Sequence, residues 1–286
     1  MLFPFKFPDL FSERQLDSQF EVPAGFLLYG APGNGKTKIA RCLAAEATGC
    51  TFVSVSGADI KDMWVGETEK KIKALFEMAN ELRPTILLID EAESLFMSRE
   101  GASRQYEIDA TCQFLSEMQE QKGITVVACT NYPWLVDKAI RRRLTQHFHV
   151  QMPDCNSRGL MLKYHLRKIL SLISDEDYLE LAKSTENYSC SDIHKLAKLC
   201  GQSVVQRVSA ATHFGPCLIR KGQLVPCEES LAGAQKGTWN DFPPKQVSAP
   251  VLTYSDVSNV LKTFHPSANQ YEKSYLEKLK KFEEEK

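Results

Sequence analysis

The sequence predicts an α/β fold built on a parallel sheet, followed by a helical domain with an irregular insert. Three observations predict it. "VPAGFLLYGAPGNGKTKIARCLAAEA" (22–47) passes from an apolar strand through a glycine loop into an alanine-rich helix. "PTILLIDEAESLF" (84–96) and "GITVVACTN" (123–131) are continuous apolar runs, the pattern of parallel strands covered on both faces. Beyond "MPD" (152–154) the chain reads as helices near 157–170, 175–184, 191–208, 255–264 and 268–284, broken by a Gly- and Pro-bearing stretch at 213–249.

With 286 residues the chain is long enough for two domains with their own cores, expected at 1–152 and 153–286. Composition is that of an ordinary soluble protein, 43% hydrophobic and 25% charged. A formal charge of −1 argues against a wholesale nucleic-acid or anionic-membrane binder, so any basic site must be local. Nine dispersed cysteines without a C-x-x-C pair read as free thiols in a reducing compartment, hence a cytoplasmic chain. No apolar run reaches membrane-spanning length, and the start, with Lys6 and Asp9, does not read as a signal peptide.

Taken in order, the first element carries the clearest chemistry. Gly30-Ala31-Pro32-Gly33-Asn34-Gly35-Lys36-Thr37 matches G-x-x-x-x-G-K-[ST] between a strand and a helix. Glycines let such a backbone fold around a polyphosphate and aim N–H groups and a helix N-terminus at it. Lys36 then reaches the β and γ phosphates, and the Thr37 hydroxyl ligates Mg²⁺. The competing reading is a plain glycine-rich turn. The second strand ends in Asp90-Glu91, at the sheet end where ligands bind in open α/β folds. Asp90 is placed to hold the metal through water and Glu91 to polarise an attacking water, unless the pair is only the acidic start of a helix. The third strand ends in Asn131, a neutral amide able to orient that water or touch the γ-phosphate.

Ten residues after Asn131 comes "AIRRRL" (139–144). Three adjacent guanidiniums suit carboxylate or phosphate oxygens, although an isolated run also fits a solvated turn or a nucleic-acid patch. Just beyond the three strand ends, they are placed to reach a γ-phosphate held by a neighbouring subunit, as arginine fingers.

The loop GAPGNGKT, the strand ILLIDE, "ACTNYPWLVDKAIRRRL" (128–144) and "NYSCSDI" (187–193) together resemble AAA ATPases of the meiotic clade, the group of katanin, spastin, fidgetin and the vacuolar protein sorting ATPase that dismantles ESCRT-III polymers. The resemblance covers nearly the whole chain. It implies an AAA+ P-loop NTPase large domain with a five-stranded parallel sheet, plus a small helical domain carrying a β-hairpin insert. It makes Asn131 sensor 1, Glu91 the catalytic glutamate, and Arg142 and Arg143 the fingers, with Arg141 in reserve. Residues 30–37, Ile39 and Asp90 become the nucleotide-contacting set, with ATP and Mg²⁺ as cofactors.

Further along, "SAATHFGPCLIRKGQLVPCEES" (209–230), "GTWNDF" (237–242) and the closing stretch 251–285 are similar to the insert and final helices of the vacuolar sorting branch. The likeness begins just before the first core strand, so that branch's N-terminal MIT domain is expected to be absent. "DMWVGETEKKIKALFEMA" (62–79) resembles pore loop one, where Trp64 and Val65 would grip an extended peptide; an isolated Trp before an amphipathic helix is otherwise a core anchor. Met63 replaces the usual lysine, Arg104-Gln105 replaces a paired arginine, and Cys190 replaces a glycine, so its backbone must avoid positive φ or carry strain. His147, His149 and His194 lack metal-site company.

The resemblance thus implies an ATP-driven homo-oligomer, a hexamer with an active site shared between subunits, that threads ESCRT-III subunits. It would be cytoplasmic and recruited to endosomal membrane, touching membrane only indirectly and no nucleic acid, with a cofactor protein on the β insert. Two alternatives are a microtubule-severing enzyme and a regulatory subunit that binds nucleotide without turnover.

Overall fold

The computed structural model describes residues 25–61, 67–97, 105–120, 123–217, 219–267 and 273–285. Trp64, Val65, Met63 and Arg104, the residues of the expected pore loops, lie outside the described residues. The chain forms two compact units, Met1–Gln151 with Tyr271–Lys286, and Met152–Gln270.

In the first unit five parallel strands, β1 (Gly25–Tyr29), β2 (Thr51–Ser56), β3 (Thr85–Asp90), β4 (Ile124–Thr130) and β5 (Gln146–His149), lie in the order β2-β3-β4-β1-β5. This is the α/β architecture expected, and the alternation of side chains along each strand explains it. Leu27, Leu87, Ile89, Val126 and Ala128 pack one face against helices α3 (Glu67–Glu81), α5 (Gln105–Glu120) and α6 (Lys138–Arg143) through Ile72, Phe76, Phe114 and Ile140. Their neighbours Phe26, Leu28, Ile86, Leu88, Val127 and Cys129 face the other way, onto Ala40 and Ala44 of α1 (Lys36–Glu46). Both faces are apolar there, so β1, β3 and β4 read as unbroken hydrophobic runs, whereas the edge strands β2 and β5 do not. Short helices α2 (Gly57–Ile60) and α4 (Ala92–Leu95) follow β2 and β3. Because β3, β4 and β1 are neighbours, their carboxyl ends deliver Asp90, Asn131 and the glycine loop side by side.

The terminal helix α11 (Lys273–Glu284) belongs to this first unit although it comes last in the chain. Its Tyr275, Leu279 and Phe282 are buried with Tyr29, against the half-buried Ala31 and Trp134.

The second unit is built from α7 (Cys155–Leu166), α8 (Asp175–Lys183), α9 (Cys190–Ala210) and α10 (Tyr254–Thr263) around Leu162, Leu166, Leu181, Ile193, Leu196 and Val257. Arg158, 8% exposed, donates to the carbonyls of Pro153 and Ala182 and to Thr185 Oγ1, so its charge is met inside the unit. Between α9 and α10 the expected hairpin is a three-stranded antiparallel sheet. β6 (His213–Pro216) lies between β7 (Leu224–Pro226) and a two-residue β8 (Gln235–Lys236). Cys190 is the first residue of α9, and the left-handed residue of that turn is Asn187 (φ 65°), so the cysteine carries no strain.

Candidate functional site

The loop after β1 owes its shape to glycine. Gly30, Gly33 and Gly35 have φ of 140°, 80° and 88°. A Cβ on Gly30 would lie 2.4 Å from the Val150 carbonyl oxygen, whereas one on Gly35 would meet nothing within 4 Å, so the loop has open space at the start of α1. That helix begins without a side-chain cap and without an acidic residue in its first turn, which leaves its positive end to an outside anion. Asn34, 4% exposed, ties the loop to the strand behind it through Nδ2 to the Val150 carbonyl, 3.4 Å.

Lys36 is 7% exposed. Its Nζ donates to the carbonyls of Gly30 (2.9 Å) and Ala31 (3.0 Å) and to Asn131 Oδ1 (2.7 Å). Burial pushes its pKa down, opposed by Cys129, Glu93 and Asp90 nearby. Thr37 Oγ1 donates to Asp90 Oδ2 at 2.7 Å, joining α1 to the end of β3. Asp90 Oδ1 accepts from the backbone N–H of Glu91 (3.1 Å). Glu91 is exposed and held at φ 52°, a left-handed conformation uncommon for a residue with a side chain, and its Oε2 accepts from Ser56 Oγ (3.3 Å).

Asn131 is oriented from three sides. Its backbone N–H donates to Glu93 Oε1 (3.3 Å), its carbonyl accepts from the Tyr275 hydroxyl (2.9 Å), and its side chain receives Lys36. Gly30, Ala31, Lys36 and Asn131 are thus directly bonded, as are Thr37 and Asp90, while Glu91 stands at the edge. Pro32 is half-buried in the loop and Ile39 is exposed on α1.

The three arginines end α6 in different surroundings. Arg141 is half-buried and lies 5.1 Å from the centre of the Phe282 ring on α11. Arg142 and Arg143 are exposed, with the Arg143 guanidinium lying against the Gln119 amide on α5. Neither is bonded to the Lys36 cluster. His149 Nδ1 meets Glu283 Oε1 at 2.8 Å, which gives this histidine a structural partner.

Thr37 Oγ1 and Asp90 Oδ2 are hard oxygen donors brought together, and Glu93 Oε2 is buried with no donor among the described residues. This set fits Mg²⁺, which keeps several waters and takes one or two protein oxygens. Among the described residues no three His, Cys, Asp or Glu side chains form an all-protein metal cage.

Sequence reasoning does not single out Glu93 or Tyr275. Glu93 lies two positions past Glu91, a spacing that could have flagged it; Tyr275 has no local signal.

The chain matches the ATPase family associated with various cellular activities (AAA) over residues 26–152, and the Vps4 C terminal oligomerisation domain over 224–286. It is 35% identical to vacuolar protein sorting-associated protein 4B of Pongo abelii, covering 100% of this chain and 65% of that one. It is 35% identical to protein 4A of Homo sapiens, covering 100% and 66%. The chain therefore spans about two thirds of the length of these relatives. In fold it is similar to the AAA domain of FIGL-1 in complex with ADP, with a TM-score of 0.73 at 22% identity, covering 100% of this chain and 84% of that one. A glycine loop feeding an uncapped helix, acidic and amide strand ends beside it, and the two sequence matches converge: the chain belongs to the AAA family and carries the Vps4-type C-terminal oligomerisation domain.

Proposed function

We propose that the chain binds ATP with Mg²⁺ at this site, hydrolyses it within a homo-oligomeric ring, and uses the cycle to pull apart ESCRT-III polymers. One observation carries the chemistry: a buried lysine ammonium bridges the glycine loop and Asn131, next to a Thr37–Asp90 pair 2.7 Å apart. A charge buried in a loop of carbonyls is poorly compensated, and phosphate oxygens are better partners for it than neutral acceptors.

In this reading the loop N–H groups and the start of α1 hold the phosphates. Lys36 turns from the carbonyls of Gly30 and Ala31 toward the β and γ oxygens. Thr37, and Asp90 through water, hold Mg²⁺, which when bound supplies neutralisation of the triphosphate charge. Glu91 accepts the proton of the attacking water, and Asn131 orients that water. Arg142 and Arg143 reach the phosphate of the adjacent subunit; their exposure, apart from the chain's own Lys36 cluster, supports action in trans. Trp64 and Val65 grip the threaded peptide. Assembly is supported by the oligomerisation domain, and the hexamer and the ESCRT-III substrate by the vacuolar sorting relatives. The same reading has the chain act from the cytoplasm on endosomal membrane; no helix among the described residues is long and apolar enough to cross one.

Steady-state ATPase measured across protein concentration tests this. Turnover per chain should rise as the protein assembles, and ESCRT-III polymers, not microtubules, should be dispersed in pelleting assays. Arg142→Ala should leave the affinity of the isolated chain for ATP within about twofold while lowering turnover by roughly 10³. Equal turnover per chain at monomer dilution would remove the shared site. No turnover at any concentration would leave a nucleotide-binding regulatory subunit.

A further inference from the structure

We infer that Tyr275 is a positioning residue for hydrolysis: from the terminal helix α11 its hydroxyl fixes the Asn131 peptide, and through Asn131 the Lys36 ammonium. The inference rests on the ATPase reading above and adds to it a residue distant in the chain from every motif.

Asn131 is the first residue beyond β4, so the sheet ladder no longer fixes its peptide groups. Two side chains replace the ladder. Glu93 accepts from the Asn131 N–H and Tyr275 donates to its carbonyl. The Asn131 side chain, rotating about the same Cα, reaches Lys36 Nζ at 2.7 Å. A hinge of the backbone at Asn131 would therefore swing the amide off the lysine and off any water it orients. Displacements of about an ångström are enough to slow an aligned reaction strongly.

Tyr275 is suited to this because it is itself rigid. It is 6% exposed, with its ring edge-on to Trp134 (centroids 5.2 Å apart) and to Tyr132 (6.0 Å). Helix α11 is anchored at its other end on β1. Glu283 accepts from the Tyr29 hydroxyl (3.1 Å) and pairs with His149, and Tyr29 immediately precedes Gly30. The helix thus braces the ends of β1 and β4, the two strands whose following residues, Gly30 and Asn131, both hold Lys36.

Tyr275→Phe removes the hydroxyl and keeps the ring packing. In the assembled protein kcat should fall about 5- to 10-fold while KM stays within about twofold, the mark of an interaction felt in the transition state. In an Asn131→Ala background the same change should have less than about a twofold further effect, because neighbours acting as a unit are not additive. Unchanged kcat, a change confined to KM, or full additivity would each overturn the inference. Independently of turnover, the side-chain amide NMR signals of Asn131, identified by their loss in Asn131→Ala, should shift and broaden in Tyr275→Phe. Signals that stay put would sink the positioning role even in an active enzyme. A wild-type chain without turnover whose Asn131 signals do respond would refute the ATPase reading and leave the brace standing.

Discussion

The helices of the second unit begin in one way, and two helices of the first begin in another. In the second unit α7, α8, α9 and α10 each start from a capping side chain, Asp154, Ser174, Ser189 and Thr253, and the last three are reciprocal capping boxes with Asp177, Asp192 and Asp256. In the first unit α2 and α6 are capped too, by Ser56 and Asp137. The helices that start at the ends of β1 and β3 are not. Both α1 and α4 begin from left-handed residues, Gly35 and Glu91, with no side-chain cap. A cap satisfies orphan donors locally and closes the question of what binds there. An open start on a buried strand end sacrifices that stability and leaves the donors for a ligand. The contrast separates the self-capped helices from the two open starts beside the glycine loop and Asp90.

Lys36 sharpens the contrast most. Its ammonium is almost fully buried, and burial disfavours the charged form. Lys36→Met keeps the volume and removes the charge. ATP affinity should fall by at least about 100-fold, roughly 2.7 kcal/mol, while unfolding stability stays equal or rises, since replacing a buried charge with an apolar group of like size is often stabilising. Isothermal titration and thermal melts without nucleotide check the two halves. A variant that melts much earlier would mean Lys36 is a structural keystone, and the first unit's open helix start no functional device.

What the chain displays and what it conceals divides along the same line. Strand ends are legible because an apolar run stops where the polar residue begins, as ILLI does before Asp90 and VVACT before Asn131. Helix starts in the second unit are legible because each cap is three residues from its partner; Asp154 explains why α7 begins at Cys155, two residues earlier than periodicity suggests. The third strand of the insert has only two residues, too short for any alternation to register. The brace is invisible for a different reason. Tyr275 and Asn131 are separated by 144 positions and Tyr29 and Glu283 by 254, and no local pattern encodes such a meeting.

A smaller effect is expected from closing the open helix. Gly35 has φ 88° and free space around its missing Cβ. Asparagine tolerates left-handed backbone better than other side chains and is a good N-cap. Gly35→Asn should therefore change stability by less than about 1 kcal/mol, the backbone cost and the cap offsetting each other. Its side chain would occupy the space where phosphate oxygens meet the start of α1, and ATP affinity should drop about 10-fold. Nucleotide titration beside a denaturation curve reads both. Affinity that is untouched would show that the open start of α1 does not face the triphosphate.

The smallest effect belongs to the second unit. Ser189 caps α9 by accepting from the Asp192 N–H (3.2 Å), and Asp192 in return accepts from the Ser189 N–H (3.0 Å) and from Ser267, 75 positions away in the chain. Ser189→Ala removes the hydroxyl and leaves Asp192 three donors, the Ser189 N–H and the N–H and hydroxyl of Ser267. Stability should fall by about 1 kcal/mol, the ordinary value of an N-cap, which for a chain of this size lowers the melting temperature by about 2–4 °C. Nucleotide affinity of the isolated chain should be unchanged within about twofold, because a helix that satisfies its own donors has nothing to offer a phosphate. A loss of affinity as large as that of Gly35→Asn would erase the distinction between closed and open helix starts.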